Sequence, residues 1–434
     1  MSLSYWCTSI ETFLALPSLI LYLGVGIFLT FKTRFIQIRA FPRFIKLLSF
    51  GVKQTQKKGE KTINPIHALL TAMSTTIGMG NVVGPTIAVA TGGPGALFWL
   101  VAYSFFGAVT KFTEVIFAMD FRSKLKTGNV IGGPTQYLKE VSPLLAGWYG
   151  ALTMFLFAGW SGQQANTLAN IFELENVPTW VTGFLLGLTV FMVMLGGIKR
   201  IGELASKFVP IMFVLYVTFA LSILLSDITV LVESIHLVFA SAFSPCAAFG
   251  GFLGASVLVA MQRGIHRSIY ITEAGLGTSS IAHAMADTTR HQDQAILAMF
   301  SVVADMLLSV LSGLIVLVTG LWVRGGFSNT LVYEAFRAYS PGIGKWVLLF
   351  SITLFVLTTI IGNSFNASQS FASFTRFRFM TAYYVVLSGI VFLGAFARVD
   401  LIWQLMDVLQ ILVAIPHLIG LIVLSLKYGK KIHI

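Results

Sequence analysis

The chain is 434 residues long; 56% of them are hydrophobic, only 11% are charged, and the mean hydropathy is +0.84. A soluble chain carries about a quarter charged residues. A soluble enzyme, a secreted disulfide scaffold and a nucleic-acid-binding domain are therefore excluded, and the composition is that of an all-α polytopic membrane protein. The net charge of +12 then reports topology, because Lys and Arg collect in cytoplasmic loops.

Apolar stretches of about 20 residues predict eleven spans, near 12–31, 66–90, 96–119, 144–170, 179–197, 206–226, 236–262, 295–321, 345–370, 379–396 and 401–425. No long polar segment divides them, so residues 1–434 are expected to form a single membrane domain. The N-terminus lacks a basic region and carries Glu11 before the first apolar run, which predicts a retained first span rather than a cleaved leader. The two cysteines, Cys7 and Cys246, lie in unlike segments and predict no disulfide and no thiolate metal site.

The loop 32–64 carries nine basic residues from Lys32 to Lys61. Placing it in the cytoplasm puts the N-terminus outside and the C-terminal tail 426–434 inside. Of the 29 basic residues, only Arg324, Arg337, Lys345 and Arg398 then fall outside. Within this loop, residues 35–50 interleave Ile36, Phe41, Phe44 and Leu47 with Arg39, Arg43 and Lys46, the pattern of a helix lying on the membrane surface.

The second span is not a plain anchor. Ser74, Thr75 and Thr76 precede Gly78, Gly80, Asn81, Gly84 and Pro85 at mid-membrane. Backbone freed from helical bonding at that depth must line a cavity or be buried in protein. Transporters place such broken helices at the midplane, where amides at a half-helix N-terminus hold a carboxylate and carbonyls hold a cation. Helix packing through small residues is the plainer alternative; the company of Asn81, Pro85 and three hydroxyls favours a site.

The third span holds Glu114 with Lys111 one turn before it, the spacing of a local pair. The fourth carries Ser161, Gln163, Gln164 and Asn166; amides there must face a cavity or other helices. At 100° per residue, Gln163 and Gln164 point apart. The seventh repeats the interruption with Pro245, Gly250, Gly251 and Gly254. His283, Asp287 and His291 follow at intervals of four, a metal-ligand spacing that reads more simply as a solvated face. Asp305 in the eighth span and Asp407 in the eleventh are candidate ion or proton groups. The ninth brings Thr358 and Thr359, hydroxyls suited to a hard cation, then Asn363 and Asn366. Phosphate-loop, nucleophile-elbow and His-Glu-x-x-His motifs are absent, which leaves ATP-driven transport and hydrolysis without support.

Two interrupted helices five spans apart point to an inverted-repeat transporter. The expected layout is an extra helix at 12–31, the basic cytoplasmic loop 32–64, one repeat over 65–226 and a second over 236–425.

The stretch TTIGMGNVVGPTIAVATGGPGALFWLVAYSFFGAVTKFTEVIFAMDFR, with GGPTQYL at 132–138, QAN at 164–166, GGIKRIG at 196–202 and the run AAFGGFLGASVLVAMQRGI through ITEAGLGTSSIAHAMA, resembles the sodium:alanine (alanine or glycine:cation) symporter family. The resemblance runs over residues 65–310. It implies a leucine-transporter-like 5+5 inverted repeat with two broken helices and one additional helix. It also implies symport of a small neutral amino acid of the alanine/glycine class with sodium or protons, in a bacterial inner membrane. Carried over, Thr75, Gly78, Gly80, Asn81, Gln164, Phe249, Gly250 and Gly251 would contact substrate or ion. The cation would lie among the carbonyls near Ser74 and Ile77 and the hydroxyls of Thr358 and Thr359. This chain departs from the family at Asn363, where a tryptophan is usual, which leaves room for a larger or more polar substrate.

The expected function is sodium-coupled import by alternating access, with no enzyme activity and no cofactor; the partners are the amino acid, sodium and lipid. A larger or more polar substrate and coupling to protons are the variants on the same fold. A channel would need a pore stripe or charged rings, and a membrane-embedded enzyme would need clustered acids or histidines; the sequence has neither. A substrate-sensing receptor on the same fold is the remaining alternative.

Overall fold

The computed structural model describes residues 3–53, 62–243, 257–324, 329–340 and 342–432. In chain order the helices are α1 (Leu3–Lys32), α2 (Ile36–Arg39), α3 (Phe41–Phe50), α4 (Pro65–Thr76), α5 (Met79–Gly92), α6 (Gly95–Asp120), α7 (Pro134–Tyr137), α8 (Pro143–Glu173) and α9 (Thr179–Met194). They continue with α10 (Gly197–Leu224), α11 (Ile228–Phe243), α12 (Val257–Thr272), α13 (Ser280–His283), α14 (His291–Val318), α15 (Leu331–Tyr339), α16 (Ile343–Thr375), α17 (Met380–Gly394) and α18 (Val399–Lys427). A short hairpin, β1 (Ser123–Lys124) with β2 (Val130–Ile131), follows α6.

Among the described residues eight helices, with α4 and α5 taken as one, are long and apolar enough to cross a bilayer; α9, α11 and α17 are shorter apolar helices. The second span is broken as expected, but at one point only. Helix α4 ends at Thr76 and α5 starts at Met79, with Ile77 and Gly78 extended between them. Pro85, expected in the break, lies inside α5. Of the seventh span, expected as one stretch over 236–262, residues 236–243 fall in α11 and 257–262 in α12; Pro245, Cys246, Phe249, Gly250, Gly251 and Gly254 lie outside the described residues.

Packing follows a pseudo-two-fold pattern. Helix α8 lies on α16 and α9 on α17; α10 packs on α16 as α18 packs on α8; α12 packs on α6 as α14 packs on α5. This is the contact scheme of two interlocked five-helix units, and α1 sits outside it against α18 and α6. The broken helix, α6 and α16 form the centre, 78% buried over their most apolar windows, whereas α1 and α10 are 33% buried. Their outward residues, Phe13, Ile20, Ile211 and Val214 among them, are exposed apolar side chains, as lipid contact requires.

Charges separate to two ends. At one end Glu175 meets Lys345 and Tyr333. At the other, Arg43 pairs with Asp293 at 2.6 Å, and Asp120 takes His291 and Lys431. The amphipathic segment expected over 35–50 forms α2 and α3. Phe44 stacks on Phe300 at 4.4 Å while Ile45, Leu48 and Phe50 remain exposed.

Candidate substrate and cation site

The break in the second span is fastened by three side chains. Asn81 Oδ1 accepts the Gly78 N–H at 3.0 Å, and Asn81 Nδ2 donates to the Asp305 carbonyl on α14 at 3.2 Å. Gln164 Oε1 on α8 accepts the Met79 N–H at 3.2 Å. Thr359 on α16 donates its hydroxyl to the Ile77 carbonyl at 3.1 Å. Backbone groups that a continuous helix would have paired are thus met by side chains of three helices, as buried polar groups require.

Gly78 is a glycine because of this approach: a Cβ there would stand 2.3 Å from Thr359 Oγ1. Gly362 is the matching position on α16, where a Cβ would lie 2.5 Å from Thr75 Cγ2.

Around the break is a small cavity lined by Thr75, Thr76, Gly78, Gly80, Trp160, Gln164, Tyr270, Glu273, Thr359 and Asn363. All ten are buried. The free space for the centre of a water-sized sphere is about 10 Å³, the room of about one water. Helical geometry explains the membership, since residues one turn apart share a face: Trp160 with Gln164 on α8, and Thr359 with Asn363 on α16. Tyr270 crosses Trp160 edge-to-face at 5.5 Å and donates to Gln163 Oε1 at 2.8 Å. The two glutamines of α8 therefore do point apart, with Gln164 on the break and Gln163 behind it.

Six of the expected residues, Thr75, Gly78, Gly80, Gln164, Thr359 and Asn363, share this wall. Others do not. Asn81 fastens the break without lining the cavity. Thr358 turns toward α10, bonding back to the Leu354 carbonyl at 2.8 Å with Met212 Sδ at 3.5 Å. Ser74 bonds back to the Thr71 carbonyl at 2.7 Å. Phe249, Gly250 and Gly251 lie outside the described residues. Asn363 reaches the wall with its Oδ1 buried and unbonded.

Trp160, Tyr270 and Glu273 are additions that the sequence did not single out. Glu273 follows α12 with a left-handed backbone, φ +55°, that turns its carboxylate into the protein, where Thr278 donates to Oε2 at 2.5 Å. Lys111 and Glu114, expected as a local pair, are turned to other partners. Lys111 Nζ donates to the Thr272 carbonyl at 3.1 Å, and Glu114 Oε1 accepts the N–H groups of Gly275 and Gly277 at 2.9 and 3.1 Å. Asp407 is closed by a two-bond pair with Arg267 at 2.9 and 2.8 Å. His283 is buried against Gln294 and His291 pairs with Asp120. Among the described residues no group of three acids, histidines or cysteines is placed to hold a metal ion.

A helix opened within the bundle, with its end groups held by neighbouring helices around a small buried cavity of mostly polar residues, is the arrangement of a transporter of small solutes. The sequence profile of the sodium:alanine symporter family matches residues 1–433, and the chain belongs to that family; it is a cation-coupled amino-acid symporter. It is 32% identical over 422 residues to the sodium/alanine symporter AgcS of Methanococcus maripaludis, covering 94% of this chain and 91% of that one. It is 32% identical over 419 residues to the probable sodium/glutamine symporter GlnT of Bacillus subtilis, covering 94% and 85%. Among solved structures it resembles MhsT in complex with L-phenylalanine, with a TM-score of 0.65 at 16% identity over 86% of this chain and 92% of that one; this likeness is one of fold.

Proposed function

We propose that this protein imports a small neutral amino acid together with sodium by alternating access. The observation that carries the reading is the pair of fasteners on opposite sides of the break: Gln164 on the Met79 amide and Thr359 on the Ile77 carbonyl. The amide side suits a substrate carboxylate at the N-terminus of α5, and the carbonyl side suits a cation at the end of α4. The free space at the break is too small for an amino acid, so substrate entry requires the walls on α5, α8 and α16 to move apart. The repeats, 65–226 and 236–425, would rock against each other around this point, with the N-terminus outside and the basic tail in the cytoplasm.

The alanine/glycine class is the first assignment, supported by the relative named for alanine. Asn363 favours a second, more polar choice. It lines the cavity with a buried, unbonded Oδ1 at a position where the family usually has an indole, and a relative is named for glutamine. A competition panel of all neutral amino acids against labelled alanine tests the two. Strongest inhibition by glycine and alanine supports the first, and strongest inhibition by serine, threonine or the amide amino acids supports the second. No sodium-dependent alanine uptake and no competition by any neutral amino acid would defeat both.

A further inference from the structure

A second cavity lies where α1, α12 and α18 meet. It offers about 240 Å³ of free space. Of the described residues that line it, none belongs to α4, α5, α8 or α16, the helices around the break. Glu11 and Tyr22 face it from α1, Arg263 and His266 from α12, and Ile411 from α18. Helical periodicity explains these faces: Glu11, Ser18 and Tyr22 recur at i, i+7 and i+11 on α1, and Arg263 and His266 at i and i+3 on α12. Helix α1 is otherwise an apolar outer helix, and Glu11 is its single acid.

The mouth carries one charge of each sign. Arg263 Nη1 donates to Glu11 Oε1 at 2.8 Å, with the two side chains 42% and 20% exposed. Deeper in, the polar groups are unsatisfied. Tyr22 is 2% exposed, and its hydroxyl has no hydrogen-bond partner at normal geometry; Gln410 stands beside it with its own Oε1 unpaired. His266 Nε2 is buried and unpaired as well. Unpaired polar atoms around a space of this size call for a polar occupant.

Charge narrows the occupant. An anion alone would be repelled by Glu11, and a cation alone by Arg263. A zwitterion gives Glu11 an ammonium and Arg263 an anionic group, each a charge-assisted hydrogen bond. Tyr22 and His266 then suit an uncharged hydrogen-bonding group at its other end.

We propose that this cavity is a second binding site, for a small zwitterion, with its ammonium on Glu11, its anionic group on Arg263 and a polar group toward Tyr22 and His266. A free polar amino acid and the headgroup of phosphatidylethanolamine share this pair of charges. The site touches the elements that wall the break. One turn after His266, α12 places Tyr270 in that wall. The Tyr22 ring meets Tyr103 edge-on at 6.2 Å, and Tyr103 donates to the Ala274 carbonyl at 3.0 Å, next to Glu273. An occupant that bridges α1 and α12 therefore restrains Tyr270 and Glu273 and slows transport. This consequence rests on the transport reading above; the site itself does not.

The test is equilibrium binding of labelled serine, glutamine and phosphatidylethanolamine to the purified protein in sodium-free choline chloride. Saturable binding is expected, weakened at least about tenfold by Arg263→Gln and by Glu11→Gln, the scale of a lost charge-assisted hydrogen bond, and unchanged in Gln164→Leu. Tyr22→Phe, a mild change to the fold, should weaken serine and glutamine more than alanine. Serine or glutamine binding of this pattern assigns a free amino acid; binding of phosphatidylethanolamine alone, in preference to phosphatidylglycerol and lost in Arg263→Gln, assigns a lipid headgroup. Binding that Gln164→Leu removes and Arg263→Gln spares belongs to the break and overturns the proposal. No saturable binding of any of the three means that the cavity holds water only and also overturns it. In proteoliposomes the bound zwitterion should lower the maximal rate of uptake in the wild type and not in Arg263→Gln; equal inhibition of both overturns the regulatory role. A wild type that binds the zwitterion but takes up no amino acid would defeat the transport reading and leave the site standing.

Discussion

The hydroxyl of Thr359 donates to the carbonyl of Ile77 at 3.1 Å, joining the middle of α16 to the residue where α4 stops. Its neighbour Thr358 bonds only within α16 and toward Met212. Two adjacent hydroxyls thus have different work. Thr359→Val should raise the sodium concentration for half-maximal uptake by on the order of tenfold, the scale of one lost buried hydrogen bond. Thr358→Val should leave it within about twofold. Equal effects, measured as sodium titrations of uptake, would remove Thr359 from the cation side of the pocket.

Gln164 covers the Met79 amide. Gln164→Leu leaves that buried donor unpaired, at a cost of about 1–3 kcal/mol. Substrate affinity should fall roughly 5- to 100-fold with membrane expression unchanged. Gln163→Leu disturbs only Tyr270 and should cost less. A competition assay on the two variants ranks them.

Gly78 has no room for a methyl group beside Thr359. Gly78→Ala should abolish uptake while the protein still purifies as a single species. Combining it with Thr359→Ser, which keeps the hydroxyl and deletes a methyl, should leave the loss in place, because the Oγ1 contact at 2.3 Å remains; combining it with Thr359→Gly should relieve the clash but not restore sodium affinity.

Asn363 shares the wall with Thr359 and brings an unbonded Oδ1 to it. Asn363→Trp should restrict uptake to glycine and alanine, with serine, threonine and amide amino acids losing most. An unchanged substrate ranking in a folded variant would show that this position does not shape the pocket.

At the periphery, Lys345 and Tyr333 hydrogen-bond Glu175 and hold its carboxyl below the usual range. A lowered folded value stabilises above the unfolded pKa of about 4.3, and that contribution is lost as pH falls through the folded value. The melting temperature of Glu175→Gln should therefore lie below that of the wild type at pH 7, and the two should converge in strong acid. A constant difference across that range would mean that charge is not what Glu175 contributes.

Much of this site was legible in the sequence because polar residues are costly in a membrane span. Gln164, Thr359 and the Gly78 break stand out against their apolar neighbours for that reason, and the 100° rule separated Gln164 from Gln163. Tyr270 and Trp160 were hidden, since an aromatic in an apolar run gives no sign of facing a cavity. Glu273 was hidden differently: it follows the seventh span in ITEAGLGTSS, which reads as loop, and only the left-handed turn at this residue brings it inward. The i, i+3 spacing of Lys111 and Glu114 predicted a pair, but tertiary partners on α12 and after it outcompeted the local contact. Asn81 stands at the break as its glycine neighbours suggested, yet its fastening role depends on a carbonyl of α14 that lies 224 residues away.

The most direct measurement is uptake of a labelled neutral amino acid, drawn from the competition panel, into proteoliposomes of the purified protein. It is followed with an inward sodium gradient and with equal sodium on both sides. The account predicts transient accumulation above the external concentration with the gradient, and equilibration without it. Uptake that stops at equilibrium under both conditions, or accumulation indifferent to sodium, would contradict it.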